Sequence, residues 1–326
     1  MSAKSAEALN IVFMGSSDFA VPALEALRRG GHNIPFVVTQ PDRIRGRGGK
    51  VLPTPVGLYA GANALPTLKP ERIKGNDGFI GAVQAAAPDL IVVAAYGKIL
   101  PKLLLDLPLS GCVNIHASLL PEYRGAAPVQ RAILDGKAKT GVTLIYMAEG
   151  LDDGDMIAAA GVDVGEMNAG ELTAALAKVG AELLLGVLPD VAAGTAPRFP
   201  QDGTTATYAE KIEKAEGRLD LKKPAVEIMR RVRAMTPAPG AWLQNGDERI
   251  VITAARALGP DEDETPGGTY EAATPGKVLY ASSKGIGIRT GDGVLLIEEV
   301  KAPGRKAMPV REYLKGNTFV LTEPLE

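Results

Sequence analysis

Imidazole chemistry in this chain can come from two places, because its two histidines are His32 and His116. His32 lies in RRGGHNI, a polar glycine-containing stretch that reads as an exposed turn. His116 follows Asn114 by two residues in the apolar run CVNIHAS. Alternation along a strand puts both side chains on the same side. At the carboxyl end of a strand in an open α/β sheet, that is where ligands bind. On these residues alone two readings stay open: a pair of hydrogen-bonded core side chains, or two members of a site. The turn GLDDGD (150–155) then supplies Asp152, Asp153 and Asp155 after another strand-like run. A carboxylate there can reach an imidazole on a neighbouring strand.

Several other chemistries are not expected. The calcium-loop pattern D-x-[DN]-x-[DN]-G is absent, and one histidine without cysteine neighbours does not make a zinc site, so no metal is expected. There is no G-x-S-x-G elbow and no P-loop. The segment MGSSDFAVP places Asp18 and Phe19 where glycines would let a pyrophosphate approach, so a dinucleotide is not expected either. The single cysteine, Cys112, reads as a buried core residue and fits a reducing compartment. No run of about 20 apolar residues suggests a membrane span, and the polar start MSAKSAEAL lacks the apolar centre of a signal peptide. A cytoplasmic protein is the expectation.

The elements that must position these residues alternate. LNIVFMG (9–15), PFVVTQ (35–40), DLIVVAAYG (89–97), CVNIHAS (112–118), GVTLIYMAE (141–149) and MIAAAGVDV (156–164) read as strands. Helices are expected over SSDFAVPALEALRRGG, VGLYAGANA, 76–86, 125–136 and AGELTAALAKVGAELLLGVLPDVAAG. This pattern predicts an α/β domain over residues 1–196, Rossmann-like, with a mainly parallel sheet. PRFPQDGTTATYAEK (197–211) lacks periodicity and reads as a linker. Residues 212–326 hold one helix (224–235) and then short strand-like runs separated by turns, which predict a smaller OB-like β-barrel domain. DEDETPGG (261–268) reads as a solvated acidic loop.

Charge is uneven along a chain whose formal net charge is −2. The loop PDRIRGRGGKVLPTP (41–55) carries Arg43, Arg45, Arg47 and Lys50; residues 211–235 carry eight Lys/Arg against four Asp/Glu; residues 301–315 carry five against one. Taken as charge alone, these patches are either unrelated solvated surfaces or the footprint of a polyanion on an otherwise acidic body.

The series VNIHASLLPEYRGAAPVQRAI followed by TGVTLIYMAEGLDDGDMI resembles the N10-formyltetrahydrofolate-dependent formyltransferases, in particular those that formylate methionyl-tRNA. VFMGSSDFAVPAL, the TQPDR…GRG…K loop, VVAAYG, TYAEKI and GDGVLLIEEVKAPGRKAM extend the resemblance over nearly the whole chain. It implies a transferase in which Asn114, His116 and Asp152 are catalytic. It implies 10-formyltetrahydrofolate as a cosubstrate, no tightly bound cofactor, and folate contacts from Ser118, Leu119, Leu120, Pro121, Tyr96 and Gly97. It implies methionyl initiator tRNA as acceptor, gripped by Arg43, Arg47 and Lys50 of the basic loop, with Arg45 a weaker match, and by Lys301, Arg305 and Lys306 of the second domain. A monomer is implied as well.

Three rivals stand beside it. A sugar-nucleotide formyltransferase would share the core, but the basic loop and second domain speak against it. A formyltetrahydrofolate hydrolase would use the same three residues with water as acceptor. A non-enzymatic RNA-binding protein would have no use for the intact set of three.

Overall fold

The computed structural model describes residues 8–44, 49, 51–259 and 273–321. Arg45, Arg47, Lys50 and the acidic loop 261–268 lie outside the described residues. The chain divides into two compact units: one holds residues 1–128, 139–163 and 173–210, the other 129–138, 164–172 and 211–326.

The first unit begins with β1 (Ile11–Gly15) and, after a short 3-10 turn, α1 (Val21–Arg29). Pro22 fits the first helical turn, where a missing N–H costs nothing. There follow β2 (Val37–Val38), β3 (Arg43–Ile44), β4 (Val51–Leu52), α2 (Pro55–Ala62), β5 (Thr67–Leu68), α3 (Asp77–Ala85), β6 (Leu90–Ala94), α4 (Lys102–Leu105) and β7 (Cys112–His116). The remaining elements are β8 (Arg124–Gly125), α5 (Pro128–Leu134), β9 (Lys139–Tyr146), β10 (Met156–Asp163), α6 (Ala169–Ala193) and β11 (Tyr208–Ala209), with α5 and the start of α6 counted in the second unit.

Seven strands form one sheet in the order β10-β9-β7-β6-β1-β2-β5. β7, β6, β1, β2 and β5 run parallel; β9 is antiparallel to β7, and β10, antiparallel to β9, runs again in the direction of the other five. The mainly parallel sheet read from the alternating elements is present. β1, β6 and β7 are buried along their whole length, as strands covered on both faces must be. β10, at the edge, instead alternates in burial.

Two stretches differ from the sequence expectation. The basic loop 41–55 is not wholly irregular, because β3 and β4 pair antiparallel within it. Segment 197–211 carries β11, which pairs in parallel with β8. α6 is long and apolar enough to cross a bilayer by length and composition. Its Leu172, Leu176, Leu184 and Leu188 are buried, and Gly180 lies within contact of Ile115 and Val142. That is the packing of a core helix against a sheet.

In the second unit, α7 (Ala225–Met235) buries Ala225, Ile228, Val232 and Met235, a helical stripe. It packs against β12 (Ala241–Asn245), β13 (Glu248–Leu258) and β16 (Val294–Lys301), whose sheet also holds β14 (Val278–Ser282) and β15 (Gly285–Arg289). The sheet is antiparallel, in the order β12-β13-β16-β15-β14. β17 (Met308–Pro309) pairs with β16 and leads into α8 (Val310–Tyr313). The hydrogen-bonded order is an open path, in which β12 and β14 are not paired with each other among the described residues.

Candidate active site

β7 lies between β6, parallel to it, and β9, antiparallel to it. Its alternation places Val113 and Ile115 on one face and Asn114 and His116 on the other. Asn114 is 9% exposed and His116 5%, so both are polar groups in a largely buried setting. Such groups need partners. The His116 ring meets the Tyr123 carbonyl through Nε2 at 2.9 Å and faces Asp152 Oδ2 through Nδ1 at 3.5 Å. Asn114 Nδ2 donates to Asp152 Oδ1 at 3.3 Å. Asparagine, histidine and aspartate are therefore brought together, as the motif suggested.

Asp152 arrives by an indirect route. β9 runs antiparallel to β7, so its last residue, Tyr146, lies opposite Val113, away from His116. Residues 147–155 must double back, and the carboxylate reaches β7 from the side. Asp152 itself has φ +51°, in the left-handed region. Aspartate tolerates it better than most residues, at a cost on the order of 1 kcal/mol. The backbone N–H of Gly125 donates to Asp152 Oδ2 at 2.9 Å, a charge-assisted bond. Gly125 has φ +113°, and a Cβ there would lie 3.0 Å from the Ala209 carbonyl oxygen. Glycine is what allows that N–H to aim at the carboxylate while β8 pairs with β11.

A side chain not singled out from sequence completes the loop. Gln201 Nε2 donates to the carbonyls of Asp152 and Gly154, both at 2.8 Å. Its Oε1 accepts from Arg124 Nε and Nη2 at 3.0 and 2.8 Å. Arg124, 7% exposed, is a buried cation missed as well. Thr207 lies in the same segment as Gln201. Its Oγ1 accepts from the Tyr123 N–H at 2.8 Å, which fixes the residue whose carbonyl meets His116. The only sequence signal for Gln201 and Thr207 was their polarity in a stretch without periodicity.

The residues expected to touch folate follow β7 or β6. Ser118 is fully buried, and its Oγ donates to the Glu122 carbonyl at 2.6 Å. Thr143 Oγ1 donates to the Ser118 carbonyl and accepts from the Leu120 N–H. Ser118 thus shapes the turn with its side chain, and the peptide before Pro121 is cis. Leu119 lies across β9, where a Cβ on Gly141 would come within 2.5 Å of its Cδ2. Tyr96 is buried, and loss of hydration pushes its phenol up to about 12. The Tyr96 and Gly97 carbonyls accept from Gln40 Nε2 at 3.0 and 3.4 Å, and Gly97 is exposed. Both groups therefore stand at the carboxyl ends of adjacent parallel strands, β6 and β7, which is the ligand crevice of such sheets.

The basic residues are placed differently. Arg43 is exposed on β3, and Lys301, Arg305 and Lys306 are exposed at the end of β16 and in the turn after it. Among the described residues no cluster of three His, Cys, Asp or Glu side chains is arranged to hold a metal ion.

Residues 9–188 match the family described as Formyl transferase, and residues 211–318 match Formyl transferase, C-terminal domain. The chain belongs to the formyl transferase family. This formyl transferase is 43% identical to the methionyl-tRNA formyltransferase of Moorella thermoacetica, over 97% of its own length and 99% of that protein's. It is 44% identical to the methionyl-tRNA formyltransferase of Halorhodospira halophila, over 98% and 100%. Among solved structures, its fold is similar to that of HypX from Aquifex aeolicus in complex with tetrahydrofolic acid, with a TM-score of 0.66 at 19% identity, covering 98% of this chain and 50% of that one. It is also similar to an N-formyltransferase from Helicobacter canadensis in complex with folinic acid and dTDP-3-aminofucose, with a TM-score of 0.62 at 18% identity, covering 89% and 98%. These two likenesses concern the fold.

Proposed function

We propose that this formyl transferase moves the formyl group of 10-formyltetrahydrofolate onto the amino group of methionyl initiator tRNA, giving formylmethionyl-tRNA and tetrahydrofolate. The observation that carries this reading is the end-to-end match, at 43% and 44% identity, to proteins named methionyl-tRNA formyltransferase. The folate is a cosubstrate that enters and leaves with each turnover. A cytoplasmic site of action follows from the acceptor, which is made and used beside the ribosome.

The geometry supports roles for the three residues. The amine nitrogen attacks the formyl carbon, and the carbonyl oxygen takes up negative charge. One Asn114 amide proton faces Asp152; the second is free to donate to that oxygen, where its worth is greatest in the transition state. The Asp152 carboxylate, held by Gly125 and Asn114, takes the proton that the attacking nitrogen must lose. The His116 ring is oriented through Nε2 by the Tyr123 carbonyl, so that Nδ1 faces that carboxylate. N10 takes up one proton as its bond to the formyl carbon breaks, and the His116–Asp152 pair holds that proton between the two steps. In this reading Ser118, Leu119, Leu120, Pro121, Tyr96 and Gly97 frame the folate crevice, mainly through backbone and apolar surface. Arg43, Arg47, Lys50, Lys301, Arg305 and Lys306 meet the tRNA backbone.

The test is incubation of the purified protein with 10-formyltetrahydrofolate and methionyl initiator tRNA. Formylation of the methionine amine is expected. Formylation of an amino-sugar nucleotide with none of the tRNA would replace this reading by another acceptor class.

A further inference from the structure

We infer that Gln201 is a positioning residue for formyl transfer, acting through the backbone of Asp152. This deepens the functional reading above and rests on it. All four hydrogen-bonding capacities of the Gln201 amide are used, two donors on the Asp152 and Gly154 carbonyls and two acceptor positions on the Arg124 guanidinium. The amide has one possible orientation. Turned over, it would set its NH2 against a guanidinium and its oxygen against two carbonyls, opposing like ends twice.

The segment that carries Gln201 is tied down on both sides of it. Phe199 and Met156 exchange two backbone hydrogen bonds at 2.9 Å, and β11 pairs with β8. The donor group is thereby fixed to the start of β10 on one side and to β8 on the other. The loop needs holding, because Asp152 sits at φ +51° and comes from the side, without strand pairing of its own. A carboxylate that must accept a proton at one place works only while its position is fixed. Arg124 orients Gln201 from behind. Its own N–H donates to the Thr207 carbonyl at 2.9 Å, so it belongs to the pairing of β8 with β11.

Gln201→Glu separates positioning from stability. One carboxylate oxygen keeps the Arg124 partner, now as an ion pair, while the other meets two carbonyls with no proton to give. The ion pair with Arg124 offsets part of that repulsion, so a modest fall in thermal stability is expected, with the protein still folded at the assay temperature. The kcat for formyl transfer is expected to fall roughly tenfold to a hundredfold, the range for groups that orient a reacting one, with KM for folate and tRNA within about threefold of wild type. In an Asp152→Asn background the same change should cost less than about threefold, because the carboxylate it positions is already gone. A Gln201→Glu protein with wild-type kcat, or the full loss repeated on top of Asp152→Asn, would overturn the inference. If the wild type formylates no tRNA, the functional reading fails separately. The positioning claim is then decided by the ring 15N shifts of His116, assigned by comparison with His32→Gln. Altered His116 shifts in Gln201→Glu support it, and unaltered shifts refute it.

Discussion

The proposed reaction centre and the proposed tRNA-binding surfaces are built on opposite plans. At the centre every functional group is placed by others: Asp152 by Gly125 and Gln201, His116 by the Tyr123 carbonyl, Tyr123 by Thr207. Lys301, Arg305 and Lys306 stand in water on a strand end and a turn. The first plan suits a reaction whose rate depends on ångströms. The second suits recognition of a phosphate backbone by summed charge, where no single side chain is decisive. Removing a group at the centre should therefore cost rate, and removing one at the surface should cost affinity.

The largest effect is expected at the centre. His116→Ala, and separately Asp152→Asn, should lower the single-turnover rate roughly a hundredfold to ten-thousandfold, with folate binding retained. A His116→Ala enzyme with full activity would erase the contrast. Next comes the surface: changing Lys301, Arg305 and Lys306 together to alanine should raise KM for tRNA with kcat held. The slope of log affinity against log salt should fall by about 1 for each phosphate that is no longer neutralised. An effect confined to kcat would mean that this patch belongs to the centre. A smaller effect concerns Cys112, whose thiol burial pushes up to about 12. It should react with thiol reagents only as fast as the protein unfolds; rapid labelling of the native protein would show the strand to be open to solvent.

The smallest effect concerns the other histidine. Burial holds the His32 imidazole below its ordinary value of 6.5, and Nδ1 accepts the Leu9 N–H at 3.2 Å. The unfolded chain takes up the proton first as pH falls. The stabilisation is therefore complete above about pH 6.5 and is lost as pH drops from there towards the folded value. The urea midpoint should fall between about pH 7 and 5.5, and fall less in His32→Gln. Equal falls would place His32 outside the packed structure.

What could be read in advance divides along the same line. Asn114 and His116 were legible because strand alternation and a buried run are local properties, and the sheet followed from the alternation of strands with helices. The two-residue strands β5, β8 and β11 carry no period to detect. Gln201 lies 49 residues beyond the carbonyl it holds. It sits in a stretch that reads as a linker because the order there comes from partners elsewhere in the chain. Polar placement of this kind is invisible until the chain is folded.

The return of residues 199–209 to the first unit also sets a timetable. The chain emerges from the ribosome amino end first. Asn114, His116 and Asp152 are all made well before Gln201, Thr207 and β11 exist. A nascent chain ending at α6 therefore holds Asn114, His116 and Asp152, the residues proposed to react, without the hydrogen bonds made by Gln201 and Thr207. Alignment of the proposed centre should not be complete before β11 has cleared the exit tunnel.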